Sequence, residues 1–458
     1  MAGQVGGALR FGTDGVRGVA NVDLTPEAVV ALGRAVARVV AGAAPGTDTP
    51  AGAGGPGPAG GPGLAGAGLA GGPGPGERWC LVGRDTRRSG PLLSAALSAG
   101  LAAEGVTVVD LGVIPTPGVS ALAAAYGVPG AVISASHNSF EDNGIKLFDA
   151  GGHKLNDATE AGIEAEHASI LSSDRRCPAP AGAGVGTILA DPEALGWYRR
   201  QLVGSLEGRR LGGLRVVVDC AHGAAVVTAA DVLASAGAEV VEVVGGAPDG
   251  TNINSGCGST APETLAAAVV AHRADAGLAF DGDADRVIAV DGAGGVVDGD
   301  RLLALFATDL ARRGRLAEGT VVVTVMTNLG FHHAMAAAGV TVHQTPVGDR
   351  HVAGALSTHR WSLGGEQSGH IIFGDLAATG DGVLSGLLVL DLVARSGQTL
   401  RALAAAAMTR LPQVLRNVAV GGGGDGARLD RATPVWDAVR SVEAELGGRG
   451  RVLLRPSG

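Results

Sequence analysis

Ser134, Ser136, His137 and Lys146 fall within one short stretch, AVISASHNSFEDNGIKLF, residues 131–148. The apolar run Ala131-Val132-Ile133 reads as the end of a buried strand, and small polar residues follow it. In an α/β protein the loop leaving the carboxyl end of a strand is where ligands bind. Two hydroxyls, an imidazole and an ammonium at such a place suggest a nucleophile loop. The competing reading is a polar hairpin, because Asn143-Gly144 between apolar runs is a strong hairpin signal. The stretch alone leaves both readings open.

DGDADR, Asp281 to Arg286, is the sharpest of the other signals. Asp281, Asp283 and Asp285 alternate after an apolar strand, and three crowded carboxylates repel unless a cation sits among them. All-oxygen ligands favour a hard ion such as Mg²⁺ or Ca²⁺. An EF-hand is excluded, since its sixth and twelfth positions would be Arg286 and Gly292 rather than Gly and Glu. The bland alternative is a solvated acidic turn. GEQSGH sets Glu366 two residues from Ser368 and four from His370; a carboxylate beside a hydroxyl suits sugar hydroxyls, and His370 can move a proton, though a polar turn has the same composition. FGTDGVRG, residues 11–18, puts Arg17 among glycines as an anion contact or as a surface residue on a tight turn. RPSG at the end offers Arg455 and Ser457 to a phosphate, or is a frayed terminus.

The elements that must hold these loops alternate strand and helix, which predicts a mainly parallel α/β sheet in each unit. A helix is expected from Thr25, with Thr25 as N-cap and Pro26 in the first position. Ala41 to Gly76 is almost entirely Gly, Ala and Pro, and reads as a disordered surface insertion. Strands are expected at 79–82, 106–109, 214–219, 239–244, 320–325 and 340–343, each running into a polar or Gly-rich loop. At 458 residues, three or four domains are expected. The divisions read as 1–180 with the serine loop, 181–288 with the aspartate loop, 289–400 with GEQSGH, and a smaller tail, 401–458.

Composition narrows the partners. A net charge of −9 with no basic block, and 3% aromatics, argue against nucleic acid. Cys80, Cys177, Cys220 and Cys257 show no C-x-x-C spacing, which fits a reducing cytosol rather than zinc or a disulfide framework. The first ten residues read as no signal peptide, and the apolar run Val383–Leu390, bounded by Asp381 and Asp391, is too short to span a bilayer. A cytoplasmic protein is expected.

Taken together, SASHN, DGDADR, GEQSGH and RPSG resemble, in order, the four loops of the α-D-phosphohexomutase superfamily. The resemblance runs from Phe11 to the last residue, interrupted by the 41–76 insertion. It implies three similar mixed α/β domains around a central cleft plus a smaller α+β C-terminal domain. It also implies that Ser136 carries a phosphoryl group, that this phosphoserine joins Asp281, Asp283 and Asp285 around one Mg²⁺, and that activity requires the phosphorylation. Arg17, Lys146 and Arg286 would supply further positive charge, with Lys146 or His370 moving the hydroxyl proton. Glu366 and Ser368 would grip the sugar, with Arg350, and Arg455 and Ser457 would hold the phosphate that is not reacting. The partners implied are sugar phosphates, together with a kinase or bisphosphate sugar that first phosphorylates Ser136, in a monomer or homodimer.

Within the superfamily, the wording FGTDGVRG, TNLG, VGDR and GEQSGH resembles the branch that acts on glucosamine phosphates, on the route to UDP-N-acetylglucosamine and the bacterial wall. A glucose or mannose phosphate specificity and a catalytically inactive sugar-phosphate-binding remnant are the alternatives. Two departures stand out. Ser139 occupies a position usually held by proline, and the chain stops at RPSG where the family continues with Thr-Glu-Pro, a strand, a helix and another arginine. The last domain is therefore expected to be incomplete.

Overall fold

The computed structural model describes residues 9–12, 14–40, 73–74, 76–172, 179–418, 429, 431–447 and 449–455. Nearly all of the Gly/Ala/Pro insertion, Cys177 and Ser457 lie outside these residues. The expected helix forms as Pro26–Val39, and the Thr25 side chain accepts from the Ala28 amide, satisfying one of the donors a helix start leaves open.

Three sheets carry the architecture. The first contains β1 (Val16–Val19), β2 (Trp79–Arg84), β3 (Thr107–Val113), β4 (Gly130–Ile133), β5 (Asp142–Phe148) and β6 (Ile188–Ala190), in the order β1-β5-β4-β2-β3-β6. The second contains β7 (Arg215–Asp219), β8 (Glu239–Val244), β9 (Ala276–Phe280), β10 (Val287–Asp291) and β11 (Val296–Val297), in the order β11-β10-β9-β7-β8. The third contains β12 (Thr320–Thr324), β13 (Thr341–Thr345), β14 (Leu363–Gly365) and β15 (Ile371–Phe373), in the order β13-β12-β14-β15. The central pairs are parallel, and antiparallel strands extend one edge. The sheets are mixed for that reason.

All three place their polar loops at the same point in the topology. β4 runs into residues 134–141 and returns antiparallel as β5; β9 does so through 281–286 into β10, and β14 through 366–370 into β15. β4, β9 and β10 are buried along their whole length, so each loop is mounted on a rigid apolar base in which a buried aliphatic side chain contributes about 1.5–3 kcal/mol. Asn143-Gly144 is not the turn: both residues lie inside β5. A Cβ at Gly144 would come within 2.6 Å of the Ser134 carbonyl oxygen, so the glycine there serves close packing.

Sheet membership also crosses two of the divisions read from sequence. β6 joins the first sheet although it follows residue 180, and most of β10 and all of β11 join the second although they follow residue 288. Short edge strands carry little periodic signal, and their pairing is decided by tertiary packing. Cys80, Cys220 and Cys257 are buried free thiols. Among the described residues no single helix is long and apolar enough to cross a membrane; the apolar helix Gly382–Ser396 bends by 99° into Leu400–Ala407, and its face from Val383 to Val393 is buried in the core.

Candidate active site

The serine loop and the aspartate loop meet. Ser136 is fully buried, and its Oγ donates to Asp281 Oδ2 at 2.6 Å. Its backbone adopts φ +53°, a left-handed conformation that a serine occupies only when its surroundings impose it. The Ser134 hydroxyl supports it from below, accepting from the Ser136 amide at 2.9 Å and donating to Asp85 at 2.7 Å. The two serines therefore have different tasks, with Ser134 acting as the brace.

Asp281, Asp283 and Asp285 are all buried, with oxygens from the three lying within 4.8 Å of one another. Lys146 Nζ donates to Asp283 Oδ2 at 2.7 Å and Asp285 Oδ2 at 3.1 Å, and lies 3.3 Å from Asp14. Thr116 Oγ1 donates to Asp283 Oδ2 as well, at 2.6 Å. These donors leave Asp283 Oδ1 buried without a hydrogen-bond partner, and Asp285 Oδ1 with none closer than His370 Nδ1 at 3.6 Å and Arg286 Nε at 3.7 Å. A buried carboxylate oxygen left open is costly, and two beside Asp281 are the donor set a hard divalent cation takes.

Electrostatics divide the cluster. Burial raises the Asp281 carboxyl well above its usual range, reinforced by Asp285 and Asp283. Burial also opposes ionisation of Asp285, but the Lys146 ammonium and His370 outweigh it and hold that carboxyl well below its usual range. For Lys146, desolvation favours the neutral amine, yet Asp14, Asp283 and Asp285 raise its pKa well above the usual value. Lys146 is a fixed cation. His137 is lowered to about 4 by burial and by Arg286 and Arg17, and its Nδ1 faces Arg286 Nη1 at 3.1 Å.

The GEQSGH residues approach from the third sheet. His370 is buried between Asp285 and Asp349, with Nδ1 3.6 Å from one and Nε2 3.6 Å from the other. The Gly380 amide donates to Nε2 at 3.1 Å, so the neutral ring carries its proton on Nδ1, toward Asp285. Burial opposes protonation of His370, but Asp285 raises its pKa above the usual value. Glu366 accepts from the Gly348 amide at 3.2 Å, and Ser368 is exposed on the loop. Arg17 pairs with Asp14. Arg286 anchors the aspartate loop through its own amide, which donates to Asp281 at 3.1 Å.

Arg350 is placed differently from the rest. Its guanidinium pairs with Asp157 at 2.6 Å and with Glu160 at 2.8 and 3.0 Å, tying the third unit to helix Asp157–Ser172 of the first. Arg455 is exposed at the end of the described chain. Asp14, Asp85, Arg87, Asn254 and Asp349 were not singled out from sequence, although Asp14 stands inside FGTDGVRG and Asp85 and Arg87 inside GRDTRRSG. The available signal was an Asp-x-Arg directly after a buried strand, the position from which buried polar side chains organise loops.

A serine loop, a three-aspartate loop and the GEQSGH loop, each on an equivalent hairpin of a separate α/β unit, are the arrangement of a phosphohexomutase. The domain families described as phosphoglucomutase/phosphomannomutase alpha/beta/alpha domains I, II and III match residues 69–174, 198–294 and 298–411. The chain is 51% identical to the phosphoglucosamine mutase of Frankia alni over 98% of its own length and 91% of that protein. It is 48% identical to the phosphoglucosamine mutase of Mycolicibacterium paratuberculosis, over 98% and 92%. The crystal structure of a phosphoglucomutase/phosphomannomutase family protein from Burkholderia thailandensis superposes with a TM-score of 0.68 at 26% identity, covering 86% of this chain and 79% of that one. The chain belongs to the phosphoglucosamine mutase family. It is an isomerase that interconverts glucosamine 6-phosphate and glucosamine 1-phosphate.

Proposed function

We propose that phosphorylated Ser136 is the phosphoryl donor and acceptor of this reaction, a reading supported above all by the 2.6 Å contact between Ser136 Oγ and Asp281. Asp281, Asp283 and Asp285, with an oxygen of the phosphoserine, would hold one Mg²⁺. When bound, the ion neutralises charge on the transferring phosphoryl group, the main requirement of this chemistry.

In the forward direction the O1 hydroxyl of glucosamine 6-phosphate attacks the phosphorus. Its proton passes to His370, whose Nε2 must first part from the Gly380 amide, and the bond from phosphorus to Ser136 Oγ breaks. The product is the 1,6-bisphosphate. After this intermediate turns over in the cleft, Ser136 Oγ attacks the 6-phosphoryl group, and O6 leaves with the proton that His370 returns. Lys146, held as an ammonium by three carboxylates, supplies charge rather than a base. Arg17 and Arg286 add to it, Glu366 and Ser368 grip the sugar hydroxyls, and Arg455 and Ser457 in the last segment hold the idle phosphate. Arg350 acts on substrate binding through the pairing of the first and third units.

A coupled assay on purified protein with glucosamine 6-phosphate, glucose 1-phosphate and mannose 1-phosphate tests the reading. Turnover is expected to be fastest with glucosamine 6-phosphate, and Ser136→Ala is expected to lower it by roughly 10⁴-fold or more, as loss of a nucleophile does. Activity near wild type in Ser136→Ala contradicts the nucleophile assignment; faster turnover of a glucose or mannose phosphate contradicts the specificity.

A further inference from the structure

The loop GRDTRRSG, which the proposed mechanism does not use, grips the serine loop from behind. Arg87 is fully buried, and all five of its N–H donors find acceptors. Nε donates to Asp85 at 2.9 Å; Nη1 donates to the carbonyls of Ser139 and, at 3.1 Å, Asp142; Nη2 donates to the carbonyls of Ser136 and Asn138, both at 2.9 Å. A side-chain amide reaches the same two carbonyls from the neighbouring unit. Asn254 Nδ2 lies 2.9 Å from Ser136 O and 2.9 Å from Asn138 O. The Ser136 carbonyl is enclosed on a third side, because a Cβ at Gly282 in the aspartate loop would come within 2.4 Å of it. The first and second units are locked together around this point, with the Arg88 amide donating to Gly250 O at 2.8 Å and the Thr86 hydroxyl donating to the His222 carbonyl.

We infer that Arg87 and Asn254 are positioning residues for the phosphoryl transfer: by converging on the carbonyls of Ser136 and Asn138 they hold the left-handed backbone that aims Ser136 Oγ at the aspartate loop. Neither needs to touch substrate. The inference rests on Ser136 being the nucleophile. Releasing the carbonyls lets Ser136 relax toward ordinary backbone angles and displaces the reacting oxygen, and an error of about 1 Å in such a position costs on the order of 10²-fold in rate. Substrate binding, made by other loops, is unaffected.

Asn254 is the cleaner probe because it is half-buried and itself left-handed, φ +60°. Asn254→Gly keeps that backbone conformation and removes the donor; Asn254→Asp keeps both shape and conformation but points a carboxylate at two carbonyls. Asn254→Gly is expected to lower kcat about tenfold and Asn254→Asp about 100-fold, each with KM for glucosamine 6-phosphate within about twofold of wild type. In both the ³¹P resonance of the phosphoserine should shift or broaden. Arg87→Lys preserves a cation beside Asp85 but cannot reach four carbonyls, so it should not rescue activity; if it fails to fold, the Asn254 pair decides.

Wild-type kcat in Asn254→Asp and Asn254→Gly, or losses confined to KM, would overturn the inference. Phosphopeptide mapping of the same samples separates it from the reading it rests on. Phosphate on Ser136 with unaltered Asn254 variants defeats the clamp alone, whereas phosphate on another residue defeats the nucleophile assignment.

Discussion

The first unit meets the second and third by two different kinds of contact. Toward the second, hydrogen bonds to backbone carbonyls dominate: Asn254 on the serine loop, the Arg88 amide on Gly250, Thr86 on His222. Toward the third, ion pairs dominate: Arg350 with Asp157 and Glu160, Lys154 with Asp349. Backbone-directed hydrogen bonds among buried groups fix geometry and are costly to leave unmade. Ion pairs with water access, such as that to Asp157, whose side chain is 90% exposed, contribute about 0–1 kcal/mol each and exchange readily with solvent. The first joint keeps Ser136 and Asp281 in register; in the second only the Asp157 arm is open to solvent, the Lys154–Asp349 and Arg350–Glu160 pairs being largely covered.

Short of removing Ser136 itself, the largest expected effect comes from attacking the rigid joint at its charged centre. Treatment with a chelator, or Asp281→Asn, should lower turnover roughly 10³-fold, several kcal/mol of charge stabilisation. Mg²⁺ should restore the chelated wild type but not the variant. Full activity in metal-free protein would show that the aspartates act without a cation.

An intermediate effect is expected at the charged joint. Arg350→Ala should raise KM roughly fivefold with little change in kcat, because it loosens closure without disturbing Ser136. Raising ionic strength should produce part of this effect in the wild type, since salt screens exposed pairs, and little in the variant. A fall in kcat at constant KM would instead place Arg350 among the groups that act on the transferring phosphate.

The smallest effect is expected away from both joints, at Asp300 in helix Gly299–Arg312. Burial raises its carboxyl to about 7, with Asp298 adding to the shift and the Asn328 amide opposing it. Because the folded state binds this proton more tightly than the unfolded chain, its stabilising contribution is present below about pH 4. It is lost as pH rises toward about 7, by at most about 1.4 kcal/mol per pH unit. Asp300→Asn should flatten that part of the stability profile in denaturant titrations and leave kcat unchanged. A profile identical to wild type would mean that the carboxyl titrates normally.

The two joints also differ in how far they can be read from the chain. DGDADR declares itself because three carboxylates at alternate positions have few other uses, and the serine loop because a buried strand precedes it. The two readings offered there, hairpin and nucleophile loop, are compatible in the structure: β4 and β5 are a hairpin, and its connection is the loop that carries Ser136. Asn143-Gly144 misled as a turn signal because local propensity yielded to strand pairing. Arg87 and Asn254 stayed hidden because their partners are backbone carbonyls, which every residue owns and no sequence pattern marks. Arg350 could be named as functional, but not as a tie between units, because its acidic partners lie in a helix nearly 200 positions earlier.

Phosphate mapping on the enzyme during turnover tests the central claim most directly. Protein incubated with glucosamine 6-phosphate and a catalytic amount of a hexose 1,6-bisphosphate would be quenched, digested and analysed by mass spectrometry. The phosphate is expected on Ser136, and absent from that peptide in Ser136→Ala. Phosphate at Ser134 or Ser139 instead, or sustained turnover with Ser136 unmodified, would contradict the account.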